Sequence, residues 1–468
     1  MNIKRLILLV VMLGSLMSAI DSTIVILSLP VINYDLGTTL YYSIWIILTY
    51  LLILSIFTTQ LGSLGQTFGR GRIYNLGFAI FTIGSLLAGL SLNISFLIYS
   101  RIIQAFGAAM MQANGNAIIS DYFDIRERGR AFGYITTGWN VGAAIGILLG
   151  GIITTFFGWR FIFFINVPIG AFALFMGFKY LKDNERTQSK IDIPGMLILG
   201  TSLGMLSYAA IDISTYGLNL RNSLELLVSI LLWIPFYLVE KRVKSPLINF
   251  KVFSEKHLLF SLLASFTQAL GYLAVVFLLI MYLQGVRGFS PLIASIILLP
   301  GYILSSIIAP YMGKMADSKG PRNVATTGIL LMALGVILYA MLDSTSPIIL
   351  VSLITLITGL GAAMFWPSNN KAIMSSSPKQ YYGVVSGVVR TLGSIGTLLS
   401  YVLAITVSSL AIPRYLAFQV FLGTSKIEGG LTTTFLEGIK IAFVFSFALL
   451  ITAGALSYLR GDSNYESA

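Results

Sequence analysis

The most regular feature of the sequence is a series of long apolar segments, each about as long as a membrane is thick. A helix needs about 20 apolar residues to cross roughly 30 Å of hydrocarbon. The apolar residues run continuously rather than in alternation, which favours helices over the strands of a membrane barrel. The predicted spans, numbered one to fourteen in chain order, are 6–29, 42–64, 73–92, 97–119, 132–156, 160–181, 194–214, 223–240, 258–284, 291–313, 324–342, 347–370, 382–408 and 438–459.

Composition supports a membrane protein. Of the 468 residues, 56% are hydrophobic and 10% are charged, whereas a soluble domain carries about 25% charged residues. The first apolar segment is predicted to be a retained span rather than a signal peptide, because Asp21 lies inside it and no small-residue cleavage site follows. The chain has no cysteine, which excludes disulfides and thiolate metal sites. We expect no metal site, no cofactor and no catalytic residues.

Basic residues are concentrated in alternate loops. The net charge of +12 would suggest nucleic-acid binding in a soluble protein, but here the bilayer is the expected partner and nucleic acid is not. Lys and Arg are retained on the cytoplasmic side of membrane proteins, so both termini are predicted to be cytoplasmic and the protein to be a multi-pass protein of the cell membrane. The basic residues of the opposite loops are Arg160, Arg221, Arg287, Arg414, Lys426 and Lys440.

An internal repeat divides the chain. The Gly-rich, basic turn at 62–70 follows span two, and a similar turn at 313–322 follows span ten. Repeated halves are typical of secondary transporters. The repeat predicts a six-helix half at 1–190, two inserted helices and a linker at 191–256, and a second six-helix half at 257–468.

Several motifs occur in a specific order. Span one contains Asp21-Ser-Thr23 and, further on, Leu29-Pro30, and the junction of spans five and six contains Gly158-Trp-Arg160 and Asn166-Val-Pro168. Further matches lie at 192–195, 245–250 and 282–300. From residue 17 to about residue 400, the chain resembles the major facilitator superfamily, specifically its fourteen-helix drug:proton antiporter family.

The resemblance implies an all-α fold of two six-helix halves plus two extra helices. It also implies a monomer that exports small hydrophobic or cationic compounds in exchange for protons by alternating access. The chain departs from the family pattern at Gln66-Thr67, where an acid and Arg are usual, and at Ile147, where Pro is usual. An exporter of a sugar, amino acid, siderophore or peptide stays open.

A polytopic membrane enzyme is the alternative class of protein. Asp121 and Asp124 have the spacing of half an Asp-rich prenyltransferase site, but no second acidic cluster accompanies them. No phosphate-binding G-x-x-x-x-G-K-[ST] motif occurs, so a nucleotide-driven pump is not predicted. We expect a transporter, not an enzyme.

Charged residues inside spans are candidates for proton coupling, because charge is costly in hydrocarbon. Asp21 shares a helix face with Gly14, Ser18 and Ser28, which suits a proton carrier; a structural hydrogen-bonding role is the alternative. Arg101 needs a carbonyl or carboxylate partner, and the resemblance ties it to proton coupling; fixing of helix packing is its alternative. Arg390 is a possible counterpart in span thirteen.

Two further groups have candidate roles in packing and gating. Gly138, Gly142, Gly146 and Gly150 recur every four residues in span five, a spacing that lets helices approach closely. The resemblance suggests that this ridge also resists leak. Arg70, Asp121 and Asp317 resemble a charge network that stabilises one access state, although solvated loop charges are an alternative for them. With Gln66 neutral, we expect a smaller bias between states.

Polar and aromatic residues in the spans are candidates for substrate contact. Trp366-Pro367 predicts an interruption of span twelve, and broken helices suit a binding pocket. Core packing is the alternative for each aromatic residue. The candidates are Gln104, Gln268, Tyr272, Phe365 and Trp366.

Overall fold

The computed structural model describes residues 3–38, 40–43, 45–183, 191–216, 218–243, 246–247, 255–289, 291–377, 382–409 and 431–461. Within these ranges the chain is helical apart from turns, and no strand occurs. The predicted all-α membrane fold is confirmed. Arg414, Lys426 and most of the motif at 245–250 lie outside the described residues.

The first half contains six long helical units. They are Ile3–Asp35, Trp45–Phe68, Arg70–Gly89, Ile94–Tyr122, Ile125–Phe156 and the two-part Phe161–Phe164 with Asn166–Tyr180. Helix five begins at Ile125, before the predicted residue 132, so its basic turn is helical rather than a loop. Glu127 lies in its first turn, where a negative charge interacts favourably with the positive end of the helix dipole.

The inserted helices and the second half follow the predicted order. Their bounds are Ile193–Tyr216, Leu220–Leu231 with Trp233–Glu240, Lys256–Tyr272 with Val275–Ile280 and the π-helix Met281–Val286, Pro291–Lys319, Pro321–Ala340, Ile348–Ser375, Tyr382–Ser409 and Leu431–Leu459. Thirteen helices in the described part of the chain are long and apolar enough to cross a membrane. Tyr382–Ser409, with 28 residues, coincides with the remaining predicted span.

Spans nine and twelve are among those that differ from their predictions. Span nine, predicted as one helix, breaks after Tyr272, and the Ser400 hydroxyl accepts a hydrogen bond from the Ala274 amide there at 3.0 Å. The predicted interruption of span twelve is wrong, since its helix continues through Pro367 to Ser375. Proline removes one backbone hydrogen bond, and neighbouring helices in a bundle can hold such a helix together.

The two halves meet through equivalent helices of the repeat. Span five lies against span ten, where Gly133 contacts the backbone of Pro310, and span two lies against span thirteen, where Gly387 contacts Thr59. Spans two and ten, and spans five and thirteen, hold the same positions in the two halves. The inserted spans seven and eight pack on each other, and span seven also contacts span two.

Ion pairs and hydrogen bonds join alternate loops at one end of the bundle. Lys4 pairs with Glu127 at 3.0 Å, Arg72 pairs with Asp183 at 2.9 Å, and Arg460 donates to the Pro321 carbonyl at 2.6 Å. We call this end, which also holds Arg70 and Lys371, the basic end. These contacts require successive helices to run in opposite directions, as the loop charges predict.

The surface and the interior are inverted relative to those of a soluble protein. Along span six, Phe172, Phe175 and Phe178 are exposed, although a monomer in water rarely exposes a contiguous apolar patch of this kind. Many polar side chains are buried between the helices, and Asp21 and Gln104 have no exposed surface. Lipid is therefore the solvent of the outer face, and the chemistry lies inside.

Candidate functional site

A buried ion pair lies in the middle of the first half. Asp21 of span one faces Arg101 of span four, and one guanidinium nitrogen of Arg101 donates to both carboxylate oxygens at 2.8 and 2.7 Å. Asp21 is fully buried and Arg101 is 1% exposed. The structure thus joins the two charged residues that the sequence singled out separately.

Gln104 connects this pair to a third helix. Its side-chain amide donates to Asp21 at 2.9 Å and to the Ser85 hydroxyl of span three at 2.7 Å, and its oxygen accepts from Arg101 at 2.5 Å. Arg101 and Gln104 are three residues apart, so they share a helix face. Gln104, predicted to contact substrate, lies in the Asp21 network.

Two groups from span two complete the surroundings of Arg101. Its Nε donates to the Ile46 carbonyl at 3.2 Å, and its guanidinium lies 4.3 Å from the centre of the Tyr50 ring. An aromatic face at this distance attracts a cation. Ile46, Tyr50 and Ser85 could not be recognised as site residues from the sequence, because a backbone carbonyl leaves no sequence signal and tyrosine and serine are common in spans.

The buried ion pair and the other contacts of Arg101 connect spans one, two and four. Removing one partner of a buried ion pair leaves an uncompensated charge, which costs about 3–5 kcal/mol. A proton on Asp21 would leave Arg101 in that condition between spans one, two and four.

The glycine ridge of span five lies directly against span one. A Cβ on Gly138 would lie 2.5 Å from the Met12 side chain, and one on Gly142 would lie 2.4 Å from the Leu16 carbonyl oxygen. At Gly146 the nearest atom is the Thr23 hydroxyl, and at Gly150 it belongs to Ile24. The ridge thus supports the helix that carries Asp21.

We expect Gly142→Ala to destabilise the protein by about 1–3 kcal/mol, because the added methyl group overpacks a helix contact. The measurement is the apparent melting temperature of the purified protein in detergent. Gly151→Ala is the matched control in the same helix, since no atom of the described residues outside its own stretch of helix lies within 4 Å of its added Cβ. Equal melting temperatures for the two variants would contradict the close contact.

Charged residues join the helices at the basic end. Arg70 pairs with both oxygens of Asp121 at 2.5 Å within the first half, and its guanidinium lies 6.0 Å from the ring of Tyr382 in the second half. Arg128 also lies over that ring, at 5.1 Å. Tyr382 is therefore an aromatic contact between the halves that the sequence analysis did not identify.

Asp317 crosses between the halves. Its carboxylate accepts hydrogen bonds from the backbone amides of Gly129 and Arg130, each at 3.0 Å, near the start of span five. It also pairs at 2.9 Å with Lys371 of its own half, and both of these side chains are buried. We call Asp317, Lys371 and the two amides the basic-end latch.

At the opposite end, Asp35 binds the first residues of the motif between spans five and six. Trp159 Nε1 and the Arg160 guanidinium each donate to it at 2.8 Å. These hydrogen bonds hold the pKa of Asp35 below its ordinary value. Their contribution to stability is therefore present at neutral pH and is lost only as the pH falls through that lowered pKa.

A cavity lies between the halves, nearer the basic end than the ion pair. It is lined by spans one, three, four and five of the first half and by Arg390 of the second. We call it the Arg390 cavity. Its lining includes Ser18, Tyr74, Asn116 and Trp139.

The other predicted substrate residues do not line this cavity. Gln268 is buried and donates to the sulfur of Met332 at 3.4 Å, and Tyr272 packs against the hydrophobic core. Phe365 and Trp366 stack edge to face, with their ring centres 5.3 Å apart. All four lie among the helices of the second half, where the structure places them in packing contacts.

Comparison with known proteins decides the family. The model of the Major Facilitator Superfamily matches residues 11–401. The chain belongs to this superfamily. Its members are transporters, so the prediction of a transporter rather than an enzyme agrees with the family.

Curated relatives of this superfamily member cover most of its length. It is 31% identical to the riboflavin transporter RibZ of Clostridioides difficile (strain 630), over 84% of this chain and 86% of that protein. It is 30% identical to the tetracenomycin C resistance and export protein of Streptomyces glaucescens, over 83% of this chain and 74% of that protein.

A solved structure shows the same fold. The crystal structure of the human organic anion transporter MFSD10 superposes with a TM-score of 0.64 at 15% identity, covering 96% of this chain and 100% of that one. At this identity the likeness concerns the fold alone. The described helices of this superfamily member thus share the fold of that transporter.

Proposed function

We propose that this protein is a proton-coupled exporter of small amphipathic molecules that works by alternating access. The observation that carries the proposal is the buried pair of Asp21 and Arg101. A carboxylate in a transmembrane helix is a proton-relay candidate by default. This carboxylate pairs with Arg101, and a proton on Asp21 would remove the negative charge that balances the cation.

The arrangement of the halves supports alternating access. Span one, which carries Asp21, packs on span five, and span five contacts span ten of the other half. A rearrangement of span one on protonation would therefore reach the interface between the halves. The basic-end latch lies on the same interface, so the two charged sites act on one conformational equilibrium.

The proton gradient is sufficient for the task. One charge that moves through 100 mV is worth about 2.3 kcal/mol, which corresponds to roughly 50-fold accumulation of substrate under full coupling. The loop charges support a cytoplasmic position for the basic end and a location of the protein in the cell membrane. The protein would work as a monomer.

The test uses purified protein in proteoliposomes with an imposed pH gradient. Substrate flux that follows the gradient and collapses with a protonophore supports the proposal. Flux that is indifferent to the gradient, or hydrolysis or group transfer in its absence, contradicts it. Candidate substrates come from a growth screen with toxic compounds in an efflux-deficient host.

Transport of one specific metabolite is the second candidate function. The 31% identity to a riboflavin transporter favours it, so riboflavin belongs in the flux assay. A single transported compound among many structurally different ones would indicate a dedicated transporter. Several unrelated transported compounds would indicate a multidrug exporter.

A further inference from the structure

Arg390 differs from the other arginine of the spans in its surroundings. Arg101 has the Asp21 carboxylate, the Gln104 oxygen and the Ile46 carbonyl as partners. Among the described residues, Arg390 forms no ion pair, and its Nε is buried without a hydrogen-bond acceptor. A cation in this position is costly unless something pairs with it.

Two more unpaired polar groups line the same cavity. The Ser18 hydroxyl and the Asn116 side-chain amide nitrogen are buried and have no hydrogen-bond partner among the described residues. Buried polar groups in native proteins are nearly always paired, so each exception requires an explanation. Together with the Arg390 Nε, these groups form a cluster of three around one cavity, and each of the three can donate a hydrogen bond.

The cavity carries a positive charge, that of Arg390. None of its described lining residues is Asp or Glu, and Tyr74 already donates its hydroxyl proton to the Val11 carbonyl at 3.2 Å. Trp139 and neighbouring apolar side chains supply the rest of the wall. A positive, donor-rich end beside apolar walls suits an anion that carries a hydrophobic body.

The geometry points to the Arg390 cavity as a subsite for the anionic group of a substrate, of the carboxylate or phenolate class. This inference rests on the proposed transport function and replaces the cationic preference that the family resemblance implies. Arg390 provides the charge, and Ser18 and Asn116 provide further donors for the same oxygens. A carboxylate has about four lone-pair sites, enough to accept from all three.

The position of the subsite connects it to the ion pair. A substrate held by Arg390 of the second half and Ser18 of the first would bridge the halves. Ser18 lies three residues before Asp21 on the same helix, about one turn away. Substrate binding and protonation would therefore act on the same segment of span one.

The test is equilibrium binding to the purified protein in detergent, by calorimetry, with a matched set of probes. The set is 4-phenylbutyrate, 4-phenylbutyramide and 4-phenylbutylammonium, which share a body and differ in the charge of the head. The carboxylate is expected to bind about 10-fold more tightly than the amide, and the ammonium most weakly. Equal or tighter binding of the amide or the ammonium, or no binding of the carboxylate, would overturn the inference.

Variants of Arg390 test whether this residue causes the preference for the carboxylate. Arg390→Gln is expected to weaken binding of the carboxylate about 10-fold and to leave that of the amide almost unchanged. Arg390→Lys should retain most of the preference, because it retains the charge. Arg221→Gln removes an exposed charge of the inserted helices and is the matched control.

Unchanged carboxylate binding in Arg390→Gln would exclude Arg390 as the anchor. If Arg390→Gln does not fold, the affinities of the three probes are compared between the natural protein and Arg390→Lys. That comparison then tests whether the carboxylate is preferred. The binding assay uses no proton gradient, so its failure leaves proton coupling intact. Conversely, the proteoliposome assay can fail while the anion preference stands.

Discussion

Asp21→Asn is expected to abolish proton-driven transport while the protein still inserts into the membrane. Asn has the same size and can still hydrogen-bond Gln104, but it can neither carry a proton nor balance the charge of Arg101. The variant leaves a buried cation without its counter-ion, so we also expect a loss of stability of about 3–5 kcal/mol. Gradient-driven flux in proteoliposomes measures the first effect, and the apparent melting temperature reports the second.

A double variant separates proton coupling from structural support. Asp21→Asn combined with Arg101→Gln removes both charges, and replacing a buried ion pair by neutral groups is far less costly than breaking it. We therefore expect the double variant to regain most of the stability and to exchange labelled for unlabelled substrate without a gradient. It should still fail to couple that exchange to protons.

The exposed pair of Arg221 and Glu225, 3.1 Å apart in the inserted helices, supplies the control. Neutralising both of its residues should change neither gradient-driven flux nor exchange. Full proton coupling in the Asp21 and Arg101 double variant would exclude the proton-carrier role. A stable double variant without exchange would assign the pair to the substrate pathway instead.

The sequence predicted the fold well, because apolar length and loop charge are local properties that each span carries by itself. It also identified Asp21 and Arg101, since charge within an apolar segment is visible at once. Their pairing could not be predicted, because the two residues are 80 positions apart and the helix contacts that join them arise from the tertiary fold. The Tyr50 ring and the Ser85 hydroxyl left no distinguishing signal.

Local rules failed where neighbouring helices compensate. Pro367 predicted a break, but the helix continues through it within the surrounding bundle. The break in span nine is stabilised by a hydrogen bond to Ser400, which is far away in the sequence. The glycine spacing of span five predicted a packing face but not its partner, span one. Arg390 was visible as a charge, yet its cavity is formed by five helices and no single segment encodes it.

Asp317→Asn is expected to open the basic end about 10-fold more often, which corresponds to about 1.4 kcal/mol. The substitution removes the negative charge that accepts from the amides of Gly129 and Arg130 and leaves Lys371 without that charge. Hydrogen bonds to a charged group contribute about 1.5–3 kcal/mol, so weakening them shifts the equilibrium by this order. The chain has no cysteine, so a single Ser305→Cys can report the opening through its rate of maleimide labelling.

Ser305 is a suitable reporter because it is 2% exposed and its hydroxyl accepts a hydrogen bond from Asn140 across the interface at 2.7 Å. The control is Asp343→Asn, which removes an acid paired with Lys440 at the opposite end. It should not accelerate labelling of the same cysteine. Equal acceleration by both acid-to-amide changes would indicate general loosening rather than release of the basic-end latch.

The repeat provides a second test, in which the labelling rate is expected to change in the opposite direction. Gln66 of span two occupies the position that corresponds to Asp317 in the repeated segment, and it is buried. Span two contacts span thirteen, for example through the hydrogen bond between Thr59 and Thr391. Gln66→Asp would restore an acid at that position, so we expect it to slow labelling at residue 305. If the two variants changed the rate in the same direction, the repeat would not act as a matched pair of latches. Opposite changes would show that the closed basic end depends mainly on Asp317 because its counterpart is neutral.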